Sequence, residues 1–472
     1  MLTGTDMKRT VVAHGTVAAP YGVFRAHVVI EGEQVVALGD DDSLLAGADE
    51  VVEAEGLHVL PGAVDPHVHY EDLGHAERED YATGTMAAAA GGITTIVEHP
   101  LTIPLPLSAS AFAEKRDRVR EKVVVDFGLW GALTGPALPE IPGQWREGAR
   151  GFKAFMPFSE PEYPNVDDAE LLAGMELVAS VDGLVLVHAE NDAMLRANHE
   201  RLRVEGRRDP LAHHESRPPL VEEEAVHRAL FLAQQAGVRL QVVHVSSPVS
   251  GDLIARAKAR GQRATMEVCP HHLLLDLDDL VRLGPYGRCA PALRDRPLVE
   301  RLWGHVLSGN ADCLVSDHAP YTHAEKEPGW DDIFAAPLGL QVLQETVPTV
   351  LSEAVHVRGM ALDAFVRFSA TSAARIVGLY PRKGTILPGS DADLVVWDLD
   401  AEWTVDAASQ QLSKNPWSPF DGRTVRGRVV RTLVRGETVY CDGEITVEPG
   451  YGRFLPGAGA SVVDAAAVPA AG

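Results

Sequence analysis

The chain has 472 residues, 46% of them hydrophobic, and sets 42 Lys and Arg against 67 Asp and Glu, a formal net charge of −25. That negative field excludes nucleic acid and anionic membrane surfaces as natural partners and suits a small neutral or cationic ligand. A chain of this length and apolar content can bury a large core, so one big domain with a smaller companion is expected.

The four cysteines, Cys269, Cys289, Cys313 and Cys441, lie far apart and form no Cys-x-x-Cys pair, which argues against a zinc ribbon or a disulfide framework. The N-terminal residues lack the apolar core of a signal peptide, and no run reaches the roughly 18 apolar residues of a membrane span. A cytoplasmic location is the expectation.

In chain order, residues 1–58 carry short β-rich runs at 10–12, 24–30 and 35–38, separated by Gly and charged residues. They read as part of a small all-β unit. From residue 59 to 384 the pattern changes to strand-like runs alternating with helical stretches. The runs lie at 59–65, 93–98, 123–133, 151–155, 184–188, 240–244, 263–269 and 313–317. Apolar residues at three- and four-residue spacing predict helices over 222–236, 249–260 and 297–307. Eight such alternations predict a closed parallel (β/α)8 barrel, an α/β fold whose active site lies at the C-terminal ends of the strands. Residues 385–455 return to short strands, at 393–397, 428–435 and 438–440, and are expected to complete a β-sandwich built from both chain ends. Residues 456–472 read as a loose Ala/Gly/Pro-rich tail.

The first barrel run ends in Asp65, His67 and His69. Residues i and i+2 of a strand face one side, so His67 and His69 point together as a ready pair of ligands for a divalent metal. Further groups of ligand type sit in or at the ends of other runs: Lys153, His188, His244 and Asp317. Other readings of the same residues are a structural His pair, a Schiff-base lysine at Lys153 and a helix cap at Asp317. His271, His272 and His318 read as structural or supporting histidines, and His213, His214 and His323 as surface ones.

Six segments in order carry a family resemblance: Asp65-Pro-His-Val-His69, Gly151-Phe-Lys-Ala-Phe155, Val187-His-Ala-Glu190, Val243-His-Val-Ser-Ser247, Cys269-Pro-His-His272 and Val315-Ser-Asp-His-Ala-Pro320. Together with 383–394 they resemble the cyclic amidohydrolases, the group of dihydroorotases, hydantoinases and allantoinases. The resemblance implies a binuclear site. His67, His69 and Asp317 would hold one ion, His188 and His244 the other, and Lys153 would bridge them as N6-carboxylysine, the carbamate formed with carbon dioxide. An ammonium beside two dications would be repelled, whereas a carbamate is an anion with two oxygens. Zinc is the first expectation, and iron, manganese or cobalt suit the same ligands. Asp317 would carry the proton from the nucleophile to the leaving nitrogen. A homo-oligomer, dimer or tetramer, is implied as well.

Pocket positions separate the subgroups. Dihydroorotases place Arg, Asn and His where this chain has Glu71, Ala290 and Tyr321, which disfavours an anionic ring. Hydantoinases carry Tyr where Phe158 stands. Allantoinases match better at Tyr163-Pro-Asn-Val-Asp167, Asp126-Phe-Gly-Leu-Trp130, Arg288-Cys-Ala-Pro291, and Lys326-Glu-Pro-Gly329 with Asp332-Ile-Phe334, but differ at Glu71-Asp72-Leu73-Gly74, Thr102 and Gln341-Val342. The expectation is hydrolysis of allantoin to allantoate, with Glu71, Thr102, Ala290 and Gln341 near the substrate. A hydantoinase or dihydropyrimidinase acting on another neutral ring is the alternative. A non-catalytic scaffold of the same fold is the reading from another class, and it would call for lost ligands.

Overall fold

The computed structural model describes residues 7–158 and 163–460. Among these residues, eight parallel strands form the central layer: β1 (Ala63–Val68), β2 (Ile93–Glu98), β3 (Asp126–Leu129), β4 (Phe152–Phe155), β5 (Leu184–His188), β6 (Arg239–Val242), β7 (Ala264–Val268) and β8 (Cys313–Leu314). Neighbours in sequence pair in parallel along two arcs, β1 to β3 and β4 to β8, and the pair Gly131–Ala132 carries the third strand onward beside β4. The ring closes where Val68 bridges His318 and the His69 amide donates to the His318 carbonyl at 2.8 Å. This is the (β/α)8 barrel that the alternating runs predict.

The helices begin slightly earlier than the apolar periodicity alone suggests, at Pro219–Ala236, Pro248–Ala259 and Arg296–Leu307. Each has Pro in its first turn, where the missing N–H is no loss. Ser247 and Asp295 cap two of them, accepting from the amides of Val249 and Leu298 at 3.2 Å each.

Both chain ends build the second layer. Strand His58–Pro61 pairs with Leu394–Thr404, inside a seven-stranded sheet that also holds Thr16–Ala19 and Thr424–Val434. A four-stranded sheet faces it. Val12, Val28, Ile30, Val59, Leu394 and Leu433 share one apolar cluster between them. Three predicted runs are divided, that at 123–133 at Trp130 within the barrel wall. The run at 24–30 breaks at Ala26, whose amide donates to the Gly15 carbonyl while the chain crosses from one sheet to the other. The run at 59–65 breaks at Gly62, where a Cβ would lie 2.0 Å from Thr94 Oγ1, so only glycine lets the sandwich strand turn into β1.

Lys383 ties the layers together, its buried ammonium donating to Asp126 at 2.6 Å and Asp393 at 2.7 Å. Removing one partner of such a group costs about 3–5 kcal/mol. Beyond the sandwich the chain returns to the barrel. The Phe127 amide donates to the Arg453 carbonyl and the Leu455 amide to the Phe127 carbonyl, at 2.9 and 2.7 Å. Arg150 donates to the carbonyls of Val377, Leu455 and Pro456. Residues 456–460, expected to be loose, are therefore anchored at their start, and 461–472 lie outside the described residues. No helix among the described residues is long and apolar enough to cross a membrane.

Candidate metal centre and substrate cavity

The six ligand-type residues singled out by the sequence converge at the C-terminal ends of the strands. His67 Nε2 and His69 Nε2 approach one oxygen of Asp317, Oδ1, at 3.0 and 3.5 Å. Across the barrel, His188 Nδ1 and His244 Nε2 lie 3.1 Å apart. Ligand atoms of His67, His244 and Asp317 also fall within 4.8 Å of one another, which links the two groups. Lys153 rises from β4 fully buried, and its Nζ has no hydrogen-bond partner among the described residues. Its charge acts on all four histidines.

The backbone is bent to deliver these groups. His244 and Asp317 adopt left-handed conformations, with φ of 38° and 51°, and so does Glu71 at 58°. Such conformations cost of order 1–3 kcal/mol in a non-glycine residue and cluster at working sites.

Buried carboxylates fix the imidazole tautomers. His67 Nδ1 lies 2.7 Å from Glu267 Oε2 at the end of β7, and His188 Nε2 lies 2.7 Å from Glu190 Oε2. Burial would raise the Glu190 carboxyl, but Arg217 and His188 outweigh it and hold it at about 2. An ionised Glu190 keeps the proton on His188 Nε2 and leaves the Nδ1 lone pair facing His244. By the same logic Glu267 leaves the Nε2 lone pair of His67 facing a carboxylate oxygen. Lone pairs set against lone pairs at about 3 Å repel unless a cation sits between them or a proton is taken up. Burial opposes a charge on His67, but Asp317 and Glu267 outweigh burial and raise its pKa. The donor set thus fits two divalent ions, with outer carboxylates orienting the inner imidazoles.

Burial pushes the Lys153 amine down to about 8. A buried ammonium without a partner is costly, and an amine at that pKa is partly neutral near pH 7. The Tyr163 hydroxyl donates to the Lys153 carbonyl at 2.8 Å and steadies its strand.

A cavity of about 590 Å³, open solvent at its mouth included, lies above these groups. Glu71, Ala290 and Tyr321 line it, as do the apolar side chains of Leu101, Phe155 and Leu340. Glu71 pairs with Arg78, which also donates to Glu325 at 2.8 Å and lies 4.5 Å over the Tyr321 ring. Thr102 and Gln341 do not line the cavity; the Gln341 amide donates instead to Gln411 Oε1 at 2.6 Å and to the Asn415 carbonyl. Lys326 is buried and donates to the carbonyls of Pro285, Pro337 and Gly339, the last of these on the cavity wall.

The remaining histidines divide. His272 Nε2 donates to the Pro291 carbonyl at 3.0 Å, and His318 Nδ1 accepts from the Val342 amide at 3.3 Å. His213 is not at the surface. It is fully buried, with Nε2 2.8 Å from the Cys289 carbonyl, because the helix Pro210–Ser216 is covered by the loop at 289–293. His214, on the same helix, is half-buried with Nδ1 3.0 Å from the Leu293 carbonyl, and His323 is exposed. His99, which the sequence patterns did not single out, packs 4.0 Å from the His67 ring with both nitrogens buried and unpartnered among the described residues. Its one sequence signal is a histidine directly following β2.

The amidohydrolase family model matches residues 58–439. The chain belongs to the amidohydrolase family. This amidohydrolase is 38% identical to a protein named L-hydantoinase from Paenarthrobacter aurescens over 92% of its own length and 95% of the relative's. It is 38% identical to an allantoinase of Solibacter usitatus (strain Ellin6076), over 95% and 97% of the two chains. Among solved structures, an L-hydantoinase (dihydropyrimidinase) from Arthrobacter aurescens superposes with a TM-score of 0.93 at 37% identity, covering 95% of this chain and 99% of the other. Relatives and structural neighbours place the amidohydrolase in the cyclic amidohydrolase group.

Proposed function

We propose that this cyclic amide hydrolase opens the ring of allantoin to give allantoate. The observation that carries the reading is the cavity wall. Beyond the ligand groups it carries one carboxylate, Glu71, already matched by Arg78, and no lysine or arginine among the described lining residues. Such a wall suits a neutral ring rich in N–H and C=O groups and offers no lysine or arginine to a ring carboxylate. The apolar side chains Leu101, Phe155 and Leu340 favour a second reading, a neutral hydantoin with a different substituent.

In this reading His67, His69 and Asp317 would hold one divalent ion and His188 and His244 a second, with Lys153, once carboxylated, supplying an anionic ligand to the pair. Bound ions supply Lewis acidity, which makes hydroxide available near neutral pH and polarises the ring carbonyl. Asp317 lines the cavity, so its carboxylate can take the proton of the attacking water and return it to the leaving ring nitrogen. Glu267 and Glu190 keep His67 and His188 in the tautomers that face the ions. Lys153 acquires its carbamate when the neutral Nζ attacks carbon dioxide, forming an N–C bond and releasing one proton. A scaffold role is disfavoured, since all six groups are present and converge.

The test is a panel of allantoin, hydantoin, dihydrouracil and dihydroorotate on metal-replete protein. Allantoin is expected to give the highest kcat/KM. A hydantoin ahead of allantoin moves the assignment to the second reading, and dihydroorotate ahead of both overturns it.

A further inference from the structure

His271 stands out because its polar atoms are unaccounted for. It is 1% exposed and lines the cavity, which the equally unpartnered His99 does not, and neither Nδ1 nor Nε2 has a hydrogen-bond partner among the described residues. Its neighbour His272, with ring centroids 4.3 Å apart, has one nitrogen, Nε2, engaged by the Pro291 carbonyl. A buried polar atom without a hydrogen bond is costly, so a cavity-lining imidazole with both nitrogens idle is built for a partner that arrives. The short helix Pro270–Leu274 that carries it follows β7 directly, and the charges of Asp317 and His67 reach its ring. It therefore stands on the ligand side of the cavity, where the ring under attack must sit.

A neutral imidazole offers one N–H donor and one lone pair. The complement is a group with a carbonyl and an N–H side by side. We propose that His271 is a specificity-determining residue that grips the urea edge of the substrate ring, the carbonyl and N–H next to the scissile amide. The inference rests on the cyclic-ureide reading above and narrows it: cyclic ureides are bound, whereas plain cyclic imides, which carry CH2 in place of that N–H, are not favoured.

The test compares His271→Leu, which removes both hydrogen-bonding atoms, with His271→Gln, which restores a donor and an acceptor. Melting temperature and metal-to-protein ratio are measured first and are expected to match wild type. Hydantoin and allantoin are assayed as substrates and succinimide as a competitor, and hydantoin affinity is also measured directly by calorimetry.

His271→Leu is expected to raise the ureide KM and the hydantoin Kd about 10–100-fold, the loss of one or two hydrogen bonds. Its kcat should fall less than about 5-fold and its succinimide inhibition constant should move less than about 3-fold, while His271→Gln recovers most of the ureide affinity. Ureide KM and Kd within about 3-fold of wild type would overturn the assignment, and so would a succinimide shift as large as the ureide shift. A wild-type protein that opens no ureide overturns the proposed function instead, and the hydantoin Kd of the variants still decides the role of His271.

Discussion

His67 Nδ1 and Glu267 Oε2 lie 2.7 Å apart although 200 residues separate them in the chain. Glu267 is fully buried, and the Gln241 amide donates to its other oxygen. A carboxylate so held can only accept, which makes His67 Nδ1 the donor and frees Nε2 for an ion. Glu267→Gln replaces one acceptor oxygen with an N–H donor and no longer enforces that tautomer. Metal affinity at the His67 site is expected to fall about 10–100-fold, measured by titration of chelator-stripped protein. Unchanged affinity would leave Glu267 a packing residue only.

The converging donor set leads to a metal count. Purified protein is expected to hold close to two divalent ions per chain, and chelation should remove activity that either zinc, cobalt or manganese restores. Elemental analysis that finds only traces, with full activity after chelation, contradicts the binuclear reading.

Lys153 has a chemical signature that a structural lysine lacks. Lys153→Ala is expected to abolish turnover, and short carboxylic acids should partly restore it by supplying a bridging anion. Burial lowers the amine to about 8, so its neutral, carbon-dioxide-reactive fraction grows as pH rises through that value. At fixed dissolved carbon dioxide, reconstitution of the apoprotein should therefore be faster at pH 8.5 than at about 6.5. Wild-type turnover in Lys153→Ala without additive rules the bridge out.

Asp317→Asn removes an anionic ligand and the proposed proton carrier together. Turnover is expected to drop by at least the roughly 10²–10⁴-fold typical of a general acid/base, with the melting temperature near wild type. More than about a tenth of wild-type turnover remaining would remove Asp317 from that role.

Much of this site was legible because a parallel barrel places chemistry at strand ends, and His67, His188, His244 and Asp317 each follow an apolar run. Glu267 and Glu190 are of the same importance geometrically but gave no such signal, since their partners are set by tertiary contact. His213 misled for the same reason: its partner, the Cys289 carbonyl, is 76 residues away. The breaks at Ala26 and Gly62 were hidden by continuous β-favouring sequence, which does not reveal where a strand leaves one sheet for another. Pocket residues were the hardest. Gln341 stands next to the cavity-lining Leu340, yet its amide turns away, and one residue of offset decides the face.

Substrate charge is the remaining question the geometry addresses. Glu71 faces the cavity, and Arg78, its partner, is also engaged by Glu325 and the Tyr321 ring. A dihydroorotate carboxylate entering here would meet Glu71 and Asp317 while Arg78 is already occupied, and desolvating it without a cation costs several kcal/mol. A neutral ureide meets no such penalty. Allantoin, or a neutral substituted hydantoin, is therefore expected to exceed dihydroorotate in kcat/KM by at least about 10²-fold, the ratio that roughly 3 kcal/mol gives. Glu71→Gln leaves Arg78 with Glu325 as its one carboxylate partner among the described residues, so the same variant should narrow that ratio by about 10-fold through better use of dihydroorotate. Both rings are measured at identical metal loading. Dihydroorotate equal to or better than the neutral rings with wild-type protein sinks this account of the cavity, and an unchanged ratio in Glu71→Gln shows that Glu71 takes no part in it.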